Sequence, residues 1–270
     1  MPDGSRTAIL YVSHLVTPAT VWNYLLLQRS VKAGQTLCWV CQGEAARRRL
    51  AALRINTFPL TPSLLQRWHP VMNGYGLVPG NCHVPTLSFS RRYPHDYYWF
   101  VEYDVRYTGA WTEVFALGRA SEADLIAAFV EAPFHDPTWD HWDSIRLPHP
   151  KRARSFNPIR RVSHRLLRAV ASLLARDYWA HNEALLASTC RHEGWEMQDL
   201  NALSRARRGT PIYTPAPNAD APSTLNYRPV QSTVWQAQRH RLYHPVKPLR
   251  WFQRRFGALK GVWEAFAHRG

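Results

Sequence analysis

In the segment YYWFVEYDVRYTG (residues 97–109), Glu102 and Asp104 stand two residues apart behind a run of aromatic and apolar side chains. Side chains on a strand alternate in direction, so a strand continued to Val105 turns both carboxylates to one side. They fall at the carboxyl end of a buried strand, where open α/β sheets place their ligands. Two anions brought together there repel unless a cation lies between them. A hard divalent ion, Mg²⁺ or Mn²⁺, held by one or two carboxylates and the phosphates of a substrate, resolves the repulsion. The alternative is an exposed acidic strand end, solvated or paired with Arg106.

The elements around this segment alternate in type. Thr7–Ser13 (TAILYVS) and Gln35–Gln42 (QTLCWVCQ) are short apolar runs that read as buried strands. Between them Ala19–Val31 has apolar residues at helical spacing, and a basic helix near Glu44–Arg54 leads to a short strand at Ile55–Leu60. Strand–helix alternation with right-handed crossovers predicts an α/β fold, a mainly parallel twisted sheet with helices on both faces. Residues 70–94 are rich in Gly, Pro, Asn and His and read as a long functional loop. Tyr97–Val105 and Asp124–Val130 are further strands, with a short helix at Ala110–Leu117 between them. Residues 147–161 are basic, with prolines at 148, 150 and 158. Val162–Arg176 is an amphipathic helix with Leu166, Leu167, Val170, Leu173 and Leu174 on one side, and Asn182–His192 is a second helix. Thr210–Pro229 is Pro-rich coil.

In a doubly wound sheet the loops after the first strands hold base and ribose, which makes Ser13, His14, Asn81 and His83 candidate nucleotide-binding residues. Trp139 and Trp142, interleaved with Asp140 and Asp143, suit a carbohydrate: ring faces pack on C–H surfaces while carboxylates accept hydroxyl hydrogen bonds. Two Trp rings forming a loop's own core are the alternative. Cys38 and Cys41 form a CxxC on a strand, where positions three apart face opposite ways. With no second CxxC, they read as core rather than a zinc or redox site.

The segment from Tyr97 to Gly109 resembles the metal-binding region of GT-A glycosyltransferases, whose DxD motif holds the cation that grips a nucleotide-sugar diphosphate. VEYDVRYTGAW is similar to a family of fungal and bacterial proteins among the nucleotide-diphospho-sugar transferases. The resemblance extends to RRVSHRLL (160–167), AHNEALLAS (180–188) and LYHPVK (242–247). It implies a GT-A-like fold, a sugar-transfer reaction, a Mn²⁺ or Mg²⁺ cofactor and a nucleotide-diphosphate-sugar donor. Glu102 takes the place of the motif's first Asp. His244 matches the C-terminal His that completes the metal site in several such enzymes, and Lys247 is placed to meet donor phosphates as a point charge. Glu183, at the start of a helix, matches their acceptor-facing carboxylate, a general base for the attacking hydroxyl. Glu193, Glu196 and Asp199 rank behind it, with His181 a weaker candidate. An acidic residue at a helix start also suits the helix dipole without any catalytic role.

The chain has 270 residues and a net charge of +15, with 46% hydrophobic side chains. That supports a buried core and excludes a disordered chain. The charge is lopsided: residues 1–150 carry 13 basic and 12 acidic side chains, residues 151–270 carry 21 and 7. A basic second half points to an anionic partner. No RNP, zinc-finger or helix-turn-helix pattern accompanies it, which disfavours nucleic acid. Leu249–Phe266 joins Arg250, Arg254, Arg255 and Lys260 to Trp251, Phe252, Phe256 and Trp263. As a helix it suits the headgroup region of an anionic membrane, or packs its stripe on the core. The expected organisation is one GT-A-like domain over 1–248, with a donor half (1–120) and an acceptor half (121–248), and a basic segment over 249–270. Four cysteines, no spanning apolar run and no apolar leader suggest a cytoplasmic protein, peripheral on the inner membrane face if the tail binds it. The expected reaction is metal-dependent transfer of a sugar to a hydroxyl of a glycan or lipid-linked acceptor. A nucleic-acid-binding protein and a metal-dependent hydrolase using the same carboxylates are the alternatives.

Overall fold

A computed structural model describes residues 6–68, 77, 80–131, 139, 141–213 and 238–246. The chain divides into two compact units. The first joins Met1–Tyr103 to Trp111–Pro211, and the second joins Asp104–Ala110 to Ile212–Gly270.

The first unit is an α/β structure built on a seven-stranded sheet. Its strands are β1 (Thr7–Ser13), β2 (Gln35–Gln42), β3 (Thr57–Leu60), β4 (Tyr97–Glu102), β6 (Leu125–Glu131), β7 (Arg154–Ser163) and β8 (Met197–Asp199), in spatial order β3-β2-β1-β4-β7-β6-β8. All pairings are parallel except those of β7, which runs against both β4 and β6. The helices are α1 (Pro18–Gln28), α2 (Glu44–Ala52), α3 (Pro62–Gln66), α4 (Val84–Arg92), α5 (Trp111–Arg119), α6 (His164–Leu174), α7 (Asn182–His192) and α8 (Leu200–Arg208).

Strand β1 is apolar without interruption because both of its faces are covered. Ala8 and Leu10 join Cys38, Val40 and Tyr98 in a core completed by Val84 and Leu87 of α4, the Leu166–Leu174 stripe of α6, and Leu185 and Leu186 of α7. On the opposite face Tyr11 meets Tyr24 of α1 and Trp39 edge-on, and Trp99 packs on Phe115 of α5. Gly118 permits that second contact: a Cβ there would stand 2.7 Å from the Trp99 ring.

Two elements depart from expectation. Part of the presumed loop at 70–94 is α4, whose first seven residues are all buried. Pro85 sits in its first turn, where a missing N–H costs nothing. The basic stretch before residue 162 contains β7, so α6 starts at His164 rather than Val162. Pro158 lies outside both ladders: pairing to β4 stops at Ile159, and the β6 register slips between Arg161 and Phe156. Arg160 and Arg161 are buried in this strand. Arg161 staples β7 to the end of α5, donating to the carbonyls of Gly118, Ser121 (2.9 Å) and Ala123 (2.6 Å).

In the second unit β5 (Arg106–Tyr107) pairs antiparallel with β9 (Leu242–Tyr243). The Leu242 N–H donates to Ile212 O at 2.8 Å, and Thr108 Oγ1 donates to Gln238 O at 2.6 Å. The expected amphipathic segment 249–266 and the Pro-rich stretch from residue 214 lie outside the described residues.

Candidate functional site

Strand β4 ends at Glu102, which is half-buried, and Asp104 follows in a turn. The expectation that one strand carries both carboxylates on one side is therefore corrected. The backbone leaves the ladder after Glu102, and the chain connection through Tyr103 sets the spacing. Asp104 belongs to the second unit, where it is 1% exposed. There His244 Nε2 stands 3.7 Å from Asp104 Oδ1, and the Val246 N–H donates to Asp104 O at 2.8 Å. A separation of 3.7 Å is too long for a hydrogen bond. One cation with ligand distances of about 2.1 Å spans it. A carboxylate and an imidazole, with a second carboxylate two residues away along the chain, suit Mn²⁺ or Mg²⁺.

The first unit supplies a second group of charges. Arg160 places its guanidinium 3.7 Å from the centre of the Phe100 ring and donates to Asn157 O and Cys82 O, each at 2.7 Å. Burial lowers its pKa to about 10, so it stays charged at neutral pH, and Cys82, Glu102 and Glu183 counteract part of that fall. Glu183 lies in the first turn of α7, which His181 caps by accepting from the Glu183 N–H at 3.4 Å. Burial pushes the Glu183 carboxyl up to about 8; Arg154 and Arg160 pull it down while Glu102 pushes it further up. The Cys82 thiol is raised well above its ordinary value, first by burial and then by Glu102. Within this unit, Glu102, Arg160 and Glu183 thus form one electrostatic group under the carboxyl end of β4.

Next to Glu183 is an aromatic cluster. His141 stacks on His181 at 4.1 Å, and Trp139 meets Trp142 edge-on at 4.8 Å and His181 at 5.8 Å. The Arg154 guanidinium lies 5.5 Å from the Trp139 ring centre. Trp142 is buried and Trp139 partly exposed, so of the two rings only Trp139 keeps a substantial exposed surface. Asp140 lies outside the described residues, as does Lys247.

The donor-binding candidates are scattered by burial. Ser13 is buried, and its hydroxyl is engaged with the backbone of Leu15; His14 is exposed, with its ring against Tyr103. Asn81 and His83 are fully buried, and Asn81 accepts from Trp179 Nε1 at 2.9 Å. Burial, Arg160 and His181 together bring the His83 imidazole down to about 3, so it is neutral. The alternative bases sit at the other end of α7 from Glu183: Glu193 is its C-cap, Glu196 accepts from Gln198, and Asp199 caps α8. Cys38 and Cys41 are buried free thiols. Sequence reasoning missed Arg154 and Arg160. For Arg160 the signal was present as an adjacent pair with Arg161 between the apolar Ile159 and Val162, masked by the basic character of the whole stretch.

No family model and no curated protein matches the chain. Among solved structures it is similar to a CMP:2-keto-3-deoxy-manno-octonic acid synthetase complexed with CTP (TM-score 0.42, 8% identity, covering 72% of this chain and 89% of that one). It is also similar to the inositol-1-phosphate CTP transferase from T. maritima (TM-score 0.39, 11% identity, 73% and 85%). A third is the glucosyl-3-phosphoglycerate synthase from Mycobacterium tuberculosis in complex with Mn²⁺, uridine diphosphate and phosphoglyceric acid (TM-score 0.38, 13% identity, 62% and 58%).

Proposed function

We propose that the protein is a metal-dependent glycosyltransferase that moves a sugar from a nucleotide-diphosphate-sugar donor to a hydroxyl of a glycan or lipid-linked acceptor. The observation that carries this reading is the 3.7 Å approach of His244 to the buried Asp104 carboxylate, two residues on from the end of the central strand. Glu102, Asp104 and His244 are the candidate metal ligands among the described residues. When bound, Mn²⁺ or Mg²⁺ neutralises charge that develops on the leaving diphosphate. Lys247 adds a point charge toward the donor phosphates.

Glu183 takes the proton of the acceptor hydroxyl at its carboxylate oxygen as the sugar transfers. Its raised pKa makes the ionised form a stronger base than an ordinary carboxylate. Arg160 keeps a positive charge beside both Glu102 and Glu183 without being exposed to substrate. Trp139 offers an aromatic surface for the acceptor, with Arg154 over one face of its ring. The basic segment 249–266 holds the enzyme to an anionic leaflet where a lipid-linked acceptor resides. Among the described residues no helix is long and apolar enough to cross a membrane.

The test is a panel of nucleotide sugars incubated with the protein and Mn²⁺. Release of nucleoside diphosphate that needs both the metal and an acceptor supports the reading. Release of nucleoside monophosphate, or release to water alone at full rate, favours a hydrolase on the same groups.

A further inference from the structure

Away from these groups, at the opposite end of α4, the first unit has a cleft of about 450 Å³. Arg67, Arg91 and Arg92 line it together with Thr61 and Ser63, and among the described residues no acidic side chain is in its wall. The three guanidiniums lie on exposed residues at the ends of two helices, α3 and α4. Cations in a last helical turn favour the helix dipole, which accounts for Arg91 and Arg92 in part. It does not account for Arg67 facing the same cleft from another helix, nor for the way Arg91 is held. The Arg91 guanidinium lies 4.4 Å from the ring centre of Trp68, and Trp68 Nε1 donates to Ser88 Oγ at 3.1 Å. Trp68 and Ser88 are buried, so Arg91 rests on a fixed platform that leaves its N–H edge for another partner.

Three cations around one concavity repel one another. Guanidinium forks with hydroxyls in the same wall match a tetrahedral oxyanion. The volume suits a ligand larger than an ion, in the range of ordinary small-molecule sites. The near-neutral balance of residues 1–150 hides this local cluster.

We propose that the Arg67–Arg91–Arg92 cleft is a binding site for a phosphate ester, separate from the metal and Glu183 groups and independent of metal. The phosphate belongs to a soluble metabolite or to a lipid headgroup, and the experiment distinguishes them.

Pyrophosphate is titrated calorimetrically into the full chain in EDTA, which removes any metal-dependent diphosphate binding. In parallel, phosphatidylcholine vesicles with and without phosphatidic acid are sedimented with the protein, also in EDTA. Saturable binding that weakens about tenfold in Arg91→Gln and in Arg67→Gln supports the site. Among the described residues Arg67 rests on no aromatic ring, so its variant keeps the test valid if Arg91→Gln disturbs packing. A loss confined to the pyrophosphate arm names a soluble ligand; a loss confined to the vesicle arm names a headgroup. Arg205→Gln, an exposed change on α8, controls for net charge. Equal weakening in Arg205→Gln, unchanged binding in both cleft variants, or no binding in either arm overturns the proposal. Because EDTA is present throughout, none of these outcomes depends on whether the protein transfers sugar.

Discussion

Arg160 lies with its guanidinium 3.7 Å from the centre of the Phe100 ring, a buried cation on β7 resting on the neighbouring strand β4. It answers two buried carbonyls and opposes the charges of Glu102 and Glu183. Arg160→Met strands those carbonyls, and a loss of about 2–5 kcal/mol is expected in denaturant unfolding. Arg160→Lys keeps the charge without the fork and should fall between the two. In either variant that folds, turnover should fall more than donor affinity, because Arg160 acts through the carboxylates.

Glu183→Gln keeps the shape of the side chain and removes the base. Turnover should drop by ~10²–10⁴-fold while donor binding survives. Turnover like that of the wild type would move the assignment to Asp199 or Glu196, although both are already engaged in local hydrogen bonds.

The same residue predicts a stability profile. Its folded pKa of about 8 lies above the unfolded carboxylate value, so its contribution is fully present below pH ~4.3 and is lost as pH rises to about 8. Melting temperatures measured from pH 4 to 9 should show Glu183→Gln gaining on the wild type across that window and holding the gain above it. Parallel curves for the two proteins would mean the carboxyl is not buried as described.

His83 has the opposite sign. Held neutral by burial, with a pKa near 3, it contributes stability that is present above pH ~6.5 and lost as pH falls toward 3. His181, also brought down to about 3, behaves alike. Acid unfolding should therefore begin below pH ~6.5 and be shallower in His83→Gln, provided that variant folds; identical acid slopes would contradict the assignment.

Much of this arrangement was legible in the residues. β1, β2 and α7 have the boundaries expected of them, because both-face burial and helix periodicity leave clear apolar patterns. β7 was hidden because Arg160, Arg161 and Pro158 are residues a central strand avoids. They are tolerated through carbonyl partners, aromatic faces and a register slip. α4 was hidden by the Gly- and Pro-rich stretch before it. Glu102 and Asp104 were conspicuous by spacing, yet the strand argument for them was wrong in detail, since β4 stops at Glu102. Asn81 and His83 were expected to flank a nucleotide pocket because loops of a doubly wound sheet hold base and ribose. Their complete burial depends on long-range packing that local pattern does not encode.

The most direct measurement is calorimetric binding of a panel of nucleoside diphosphates with Mn²⁺ and with EDTA, using wild type, Asp104→Asn and His244→Ala. At least one diphosphate should bind with Mn²⁺ and lose about 10–100-fold in affinity in EDTA and in each variant. Diphosphate binding that ignores EDTA and both substitutions would contradict a metal site at Asp104 and His244.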